Sequence, residues 1–184
     1  MSAISLVPIG NVSEDLLTRL AKRIGEIFRV PVFLQALHFD PSMMFDSYRN
    51  QYDSTMFLSL LVKNSEETEG KILGVTEYDL FVPVLTFVFG EAQLSGKAAV
   101  VSSFRLRPEY YGLPVDEILL ESRFEKEAIH ELGHTFGLIH CNNASCVMHS
   151  STYAEDIDLK SNSLCSSCLV QLASGDLVTA KSPP

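Results

Sequence analysis

Tryptophan is absent from this chain, and none of its four cysteines lies in the first 140 residues. Basic residues are scarce too: 14 Lys and Arg stand against 23 Asp and Glu, a formal net charge of −9. That balance argues against general nucleic-acid binding and against anionic membrane surfaces, since both need a cationic patch. Long hydrophobic runs are also missing. The longest, LFVPVLTFVFG, is interrupted by Pro83 and Thr86 and falls short of the ~20 apolar residues that span a bilayer. The opening MSAISLVPIG lacks a basic n-region and a sufficient apolar core for a secretory leader, so the expected compartment is the cytoplasm. No internal repeat or low-complexity tract interrupts the pattern. A chain of 184 residues, 46% hydrophobic and 20% charged, is expected to form one domain with a real core.

Histidine is present five times, and four of the five crowd into HELGHTFGLIHCNNASCVMHS, from His130 to Ser150. His130 and His134 are one helical turn apart and share a face, so their imidazoles can hold one metal ion at about 2.0–2.1 Å. Glu131 lies beside the first histidine, where it can reach a water at the metal rather than the metal itself. This is HExxH, a zinc-hydrolase signature. His140 adds a constraint. On an unbroken helix it would lie roughly 9 Å beyond His134 along the axis, too far to share an ion. The helix must stop and the chain turn back, and Gly137 sits where that break is needed. HExxHxxGxxH therefore reads as three ligands, a base and a hinge. Chance occurrence in a chain of this composition is on the order of 10⁻⁵, which leaves little room for an amphipathic helix with surface histidines and a glycine cap.

The motif followed by Met148 resembles the metzincin clan of zinc metalloproteases. Its continuation, His140-Cys141, then Cys146-Val147-Met148, then Cys165-Ser-Ser-Cys168, is similar to the archaemetzincins, a family with a second, cysteine-bound zinc beside the catalytic one. The resemblance implies a metzincin-like architecture: a mixed twisted β-sheet with backing helices, a zinc-binding active-site helix and a small C-terminal subdomain. The boundary is expected after Gly137, giving subdomains of 1–137 and 138–184. A methionine turn at Met148, packed under the imidazoles, is implied as well. Where the clan often has a tyrosine, two residues past the methionine, this chain has Ser150, and Tyr153 follows slightly later.

The cysteines Cys141, Cys146, Cys165 and Cys168 make an even set, which is compatible with disulfides. Without a secretory leader, Cys-x4-Cys followed by Cys-x2-Cys better suits a tetrahedral structural zinc. Cys141 is unsuited to the histidine site, because neighbouring side chains of an extended segment diverge and His140 is already committed there. Two Zn²⁺ per chain are therefore expected, one catalytic on His130, His134 and His140, one structural on the four thiolates. Three imidazoles would also hold cobalt or nickel.

Along the chain, residues 3–9 read as a first strand. A helix opened by Ser13-Glu14-Asp15 follows and runs to about Phe28, with Leu16, Leu17, Leu20, Ile24, Ile27 and Phe28 on one face. Residues 30–38 read as a strand, with Pro31 at its start and His38 a polar residue at its end. A second helix is expected around 46–62, with Met56, Leu60 and Leu61 inward, then a polar acidic loop over 63–70. Strands are expected at 72–78, 85–89 and 98–104, the last two joined by a hairpin-like connection over 90–96. Asp116 is a plausible N-cap for a long helix that carries HExxH and stops at Gly137. A short helix near 164–173 and a frayed KSPP tail complete the chain. This order places the metal-binding helix against a mixed sheet, an α/β fold inferred independently of the family resemblance.

Three neutral imidazoles leave one zinc position open, the mark of a catalytic site. With Glu131 as general base and then acid, the expected activity is a zinc metallopeptidase acting on a peptide or protein substrate. Residues 85–89 are the candidate edge strand for an extended substrate, with plain core packing as the alternative. Two rival readings stand beside this one. A metal-binding interaction module with little or no turnover would not need Glu131. An aminopeptidase would need an acid near the cleft for the free amine, and Glu91 is the candidate.

Overall fold

The computed structural model describes residues 3–64 and 70–174, so most of the expected acidic loop and all of the expected tail lie outside the described residues. In chain order the elements are β1 (Ala3–Ile9), α1 (Glu14–Phe28), β2 (Val32–Leu34), β3 (Phe45–Asp46), β4 (Gln51–Asp53), α2 (Ser54–Lys63), β5 (Gly70–Thr76), β6 (Leu80–Phe81), β7 (Gly90–Ala92) and β8 (Ala98–Ser102). Three helices follow: α3 (Glu117–Thr135), α4 (Ala154–Leu159) and α5 (Ser166–Ser174).

Strands that are apolar on both faces need a covering layer on each side. The main sheet has the order β2-β1-β5-β8-β7, parallel except for β7, which pairs antiparallel with β8 through Gly90↔Val101 and Ala92↔Ala99. On one face Ile4, Leu6, Leu73, Val75, Ala99 and Val101 meet α1 and α3, whose buried stripes include Leu17, Leu20, Ile24, Phe124, Ala128 and Leu132. On the other face Val7, Ile9, Ile72, Ala98 and Val100 meet Phe57, Leu58 and Leu61 of α2. The alternation follows from the two-residue period of a strand. Among the described residues, no helix is long and apolar enough to cross a membrane.

The first strand, the first helix and the long third helix lie where the sequence places them. Other segments differ. The expected helix over 46–62 begins only at Ser54, because Asp46 Oδ1 accepts from the amides of Tyr48 and Arg49 and Asn50 turns left-handed at φ 57°. Those contacts close a β3–β4 hairpin, and Asp53 then caps α2 by accepting from Met56 N. Met56 faces outward at 44% exposure, while Phe57, Leu58 and Leu61 point inward. The expected strand over 30–38 shrinks to Val32–Leu34, leaving His38 outside it. The expected strand over 85–89 does not form: a turn closed by Leu85 N–H to the Val82 carbonyl leads into it, and within it only Val88 makes a bridge, to Leu80. The edge strand is instead β7, inside the segment read as a connection.

Candidate metal centre and cleft

Asp116 caps α3 by accepting from Leu119 N at 2.9 Å. At the other end Gly137 takes φ 88°, its N–H donates to the His134 carbonyl at 2.9 Å, and Leu138 N–H reaches back to the Gly133 carbonyl at 3.0 Å. These are the paired bonds of a Schellman ending, and the left-handed residue at its heart is tolerated because glycine has no Cβ. The turn brings His140 back to the helix. Nitrogens of His130, His134 and His140 come within 4.8 Å of one another, so the three predicted residues are gathered at one point.

The other ring nitrogens fix the tautomers. A carbonyl can only accept, so His130 Nδ1–H donates to Val147 O at 2.9 Å and His134 Nδ1–H donates to Leu138 O at 2.7 Å. Each Nε2 is then a bare lone pair, and the two face each other at 3.1 Å. Two lone pairs at that distance repel unless a cation lies between them. A tetrahedral ion with bonds of 2.0–2.1 Å holds its nitrogens about 3.3 Å apart, close to what is found. Burial pushes the proton affinity of His130 well below the ordinary histidine range, and those of His134 and His140 are lowered for the same first reason. All three are therefore neutral near pH 7, the form that binds metal.

Glu131 is buried next to His130 and lines the same cleft. Burial, then the charges of Glu127 and Glu91, push its carboxyl well above the ordinary glutamate range. Gly90 of β7 leaves the space this side chain needs: a Cβ there would stand 2.6 Å from Glu131 Cγ. Met148 is fully buried, and its sulfur fills the place that a Cβ on Gly133 would enter at 2.4 Å. The methionine thus lies directly against the histidine-bearing helix.

The four cysteines also come together, with free thiols whose sulfurs lie within 4.8 Å of one another. Cys141–Cys165 and Cys146–Cys168 stand 3.8 and 3.7 Å apart. Four Zn–S bonds of about 2.3 Å in a tetrahedron give about 3.8 Å between sulfurs, whereas a disulfide needs about 2.0 Å. Backbone amides of Asn143 and Cys165 point at Cys141 and Cys146 sulfurs, as suits thiolates. The Cys168 amide draws the Cys165 thiol down to about 7, whereas burial pushes the Cys146 and Cys168 thiols up in the absence of a metal.

The histidines open on a cleft of about 510 Å³. Its lining comes from residues 85–90 with Ala92, from Glu127, His130, Glu131 and His134 of α3 (the floor), from His140, and from Ser150, Ser151 and Thr152 (the wall). Ser150 is thus at the cleft, while Tyr153 is 65% exposed and is not part of the lining. The Glu91 carboxylate accepts from the hydroxyls of Ser54 and Thr55 at the start of α2 and is likewise not part of the lining. Glu127 was not a predicted site residue. It lies one turn before Glu131 on the same helix face, a spacing visible in the sequence, but its buried partner Lys160 is distant in the chain.

The model of peptidase family M54 matches residues 29–174. The chain is 44% identical to an archaemetzincin of Methanocaldococcus jannaschii over 169 residues, covering 92% of each. Among solved structures it is similar to the archaemetzincin of Methanopyrus kandleri, with a TM-score of 0.82, 33% identity and coverage of 95% and 94%. It is also similar to a zinc-dependent peptidase from Methanocorpusculum labreanum, with a TM-score of 0.79, 32% identity and coverage of 92% and 99%.

Proposed function

The chain belongs to peptidase family M54, the archaemetzincins, and as a zinc metallopeptidase of that family we propose that it cleaves peptide bonds with zinc on His130, His134 and His140 and Glu131 as general base. The observation that carries this reading is the pair of bare Nε2 atoms, 3.1 Å apart, beside a buried carboxyl at the floor of a cleft. When bound, the ion supplies Lewis acidity to a water and to the substrate carbonyl. Glu131 takes the proton of the attacking water and delivers it to the leaving amine. The hydrogen bonds to Val147 O and Leu138 O orient the two helix imidazoles, and their backbone origin makes that orientation rigid.

An extended peptide fits the open edge of β7 by main-chain pairing, with residues 85–90 beside it. Because Glu91 is engaged by Ser54 and Thr55, we favour cleavage within a chain over removal of a terminal residue. Digestion of a peptide library with mass-spectrometric readout tests this. Internal cuts that disappear with a chelator and return with zinc are expected. Stepwise loss from the N-terminus would favour the aminopeptidase, and no cleavage by zinc-loaded protein would favour a binding module.

The four thiolates are read as a second, structural zinc site. His140→Ala is expected to weaken the histidine zinc while one zinc per chain remains on the cysteines, since no thiolate is touched. Elemental analysis checks it, and loss of both ions would mean that the sites are shared. A Cβ on Gly90 would meet both Glu131 Cγ and the Val100 carbonyl oxygen at 2.6 Å, so Gly90→Ala is expected to shift Glu131 together with the β7 edge, and misplacement of about 1 Å can cost on the order of 10²-fold in kcat/KM. Steady-state kinetics beside unchanged zinc content would bear this out. Undiminished turnover would show that neither Glu131 nor the β7 edge needs its present position.

A further inference from the structure

Helix α3 turns three buried charged side chains, Arg123, Lys126 and Glu127, toward the stretch from His149 to Lys160. Arg123 makes two bonds to the Asp158 carboxylate, at 2.8 and 2.7 Å, and Lys126 Nζ donates to the Ile157 carbonyl at 3.0 Å. Both hold α4. The third contact occupies a different place. Lys160 Nζ donates to Glu127 Oε1 at 3.0 Å and to the His149 carbonyl at 3.0 Å, with both charged side chains almost wholly buried.

Glu127 belongs to the floor of the cleft, and His149 immediately precedes Ser150, Ser151 and Thr152, which form its wall. One ammonium therefore ties floor to wall. The wall carries a buried hydroxyl, Ser151 Oγ, that has no hydrogen-bond partner among the described residues, so the protein leaves that atom for something else to satisfy. A buried ion pair adds little net stability, because desolvation offsets the attraction, and its best-attested use is to fix the register of two elements.

We propose that the Glu127–Lys160 pair is a positioning device that sets the wall at residues 150–152 against helix α3 and so holds a substrate side chain beside the scissile bond. The substrate half rests on the peptidase reading above; the wall half does not.

Either single neutral substitution strands a buried charge and lowers stability for that reason alone. The deciding variant is Glu127→Gln with Lys160→Met, uncharged and similar in volume. It is expected to melt close to wild type and to keep its zinc. The amides of His149 and Thr152, which are bonded to the Cys146 carbonyl and to Asp156, should nevertheless exchange about tenfold faster, with KM for peptides rising about tenfold and kcat changing less. Lys160→Arg, which keeps the charge, should restore both values. Unchanged exchange, or faster exchange with an unaltered KM, overturns the proposal. A wild-type protein that cuts no peptide refutes the peptidase reading instead, and exchange at His149 and Thr152 then decides the positioning claim alone.

Discussion

Replacing Glu131 by glutamine is expected to lower peptide hydrolysis by about 10²–10⁴-fold while leaving zinc content unchanged. Glutamine has the shape of glutamate but cannot carry a proton from water to a leaving amine. The ligand nitrogens are untouched, because their orientation comes from the Val147 and Leu138 carbonyls. A second effect separates this from simple damage. In the metal-free protein burial raises the proton affinity of Glu131, so its charged form is disfavoured by folding. Below the ordinary glutamate range the carboxyl is neutral in both states and costs nothing. As pH rises from there through the raised folded value, the wild type loses stability that the variant keeps. Metal-free Glu131→Gln should therefore melt above metal-free wild type at neutral pH, and the difference should close toward acid. A variant that retains full turnover, or that melts lower at every pH, removes Glu131 from the role assigned to it.

Removing the cysteine-bound metal is expected to have the largest structural effect. Structural zinc in small domains binds with about 10–16 kcal/mol, and that energy becomes folding energy where the local core is small. Between Cys141 and Cys168, Val147, Met148, Ala154, Ile157 and Leu164 join the main core and α3 binds 149–160 through Arg123, Lys126 and Glu127, so the thiolate cluster is expected to order chiefly the stretches that carry the cysteines. The histidine site keeps a solvent-reachable position and four thiolates do not, so a mild chelator should take the histidine zinc first. The sheet and the helices packed on it should survive that step. Cys165→Ser should reproduce the second step, with lost amide protection confined mainly to 141–168. Removal of the cysteine metal first, or unchanged protection and metal content in Cys165→Ser, would contradict the structural assignment.

Much of the candidate site was legible because it is local. His130, His134, Gly137 and His140 are related by helical geometry and one turn, and the turn that forms is the glycine ending their spacing requires. The cysteines were legible by type and spacing, although the geometry that favours metal over disulfide, sulfurs 3.7–3.8 Å apart, is a tertiary fact. What escaped depends on distant partners. Glu127 reads as one more polar helix residue until Lys160 is brought against it. The space for Glu131 depends on Gly90, which arrives from the sheet edge. In the fold, the helical pattern over 46–62 failed because Asp46 and Asp53 offer local turn and cap bonds that compete with helix in the first half, and Asn50 takes a left-handed turn between them. The apolar run at 85–89 failed as a strand because the turn beginning after Phe81 bends it out of the ladder, even though it still reaches the cleft.

Two separate groups of ligands, three imidazoles and four thiolates, are proposed to hold one zinc each. Elemental analysis of anaerobically purified protein tests it most directly. Two zinc ions per chain, with all four thiols titratable after denaturation in chelator, is the predicted result. One zinc or none, or cysteines recovered as disulfides, would contradict it.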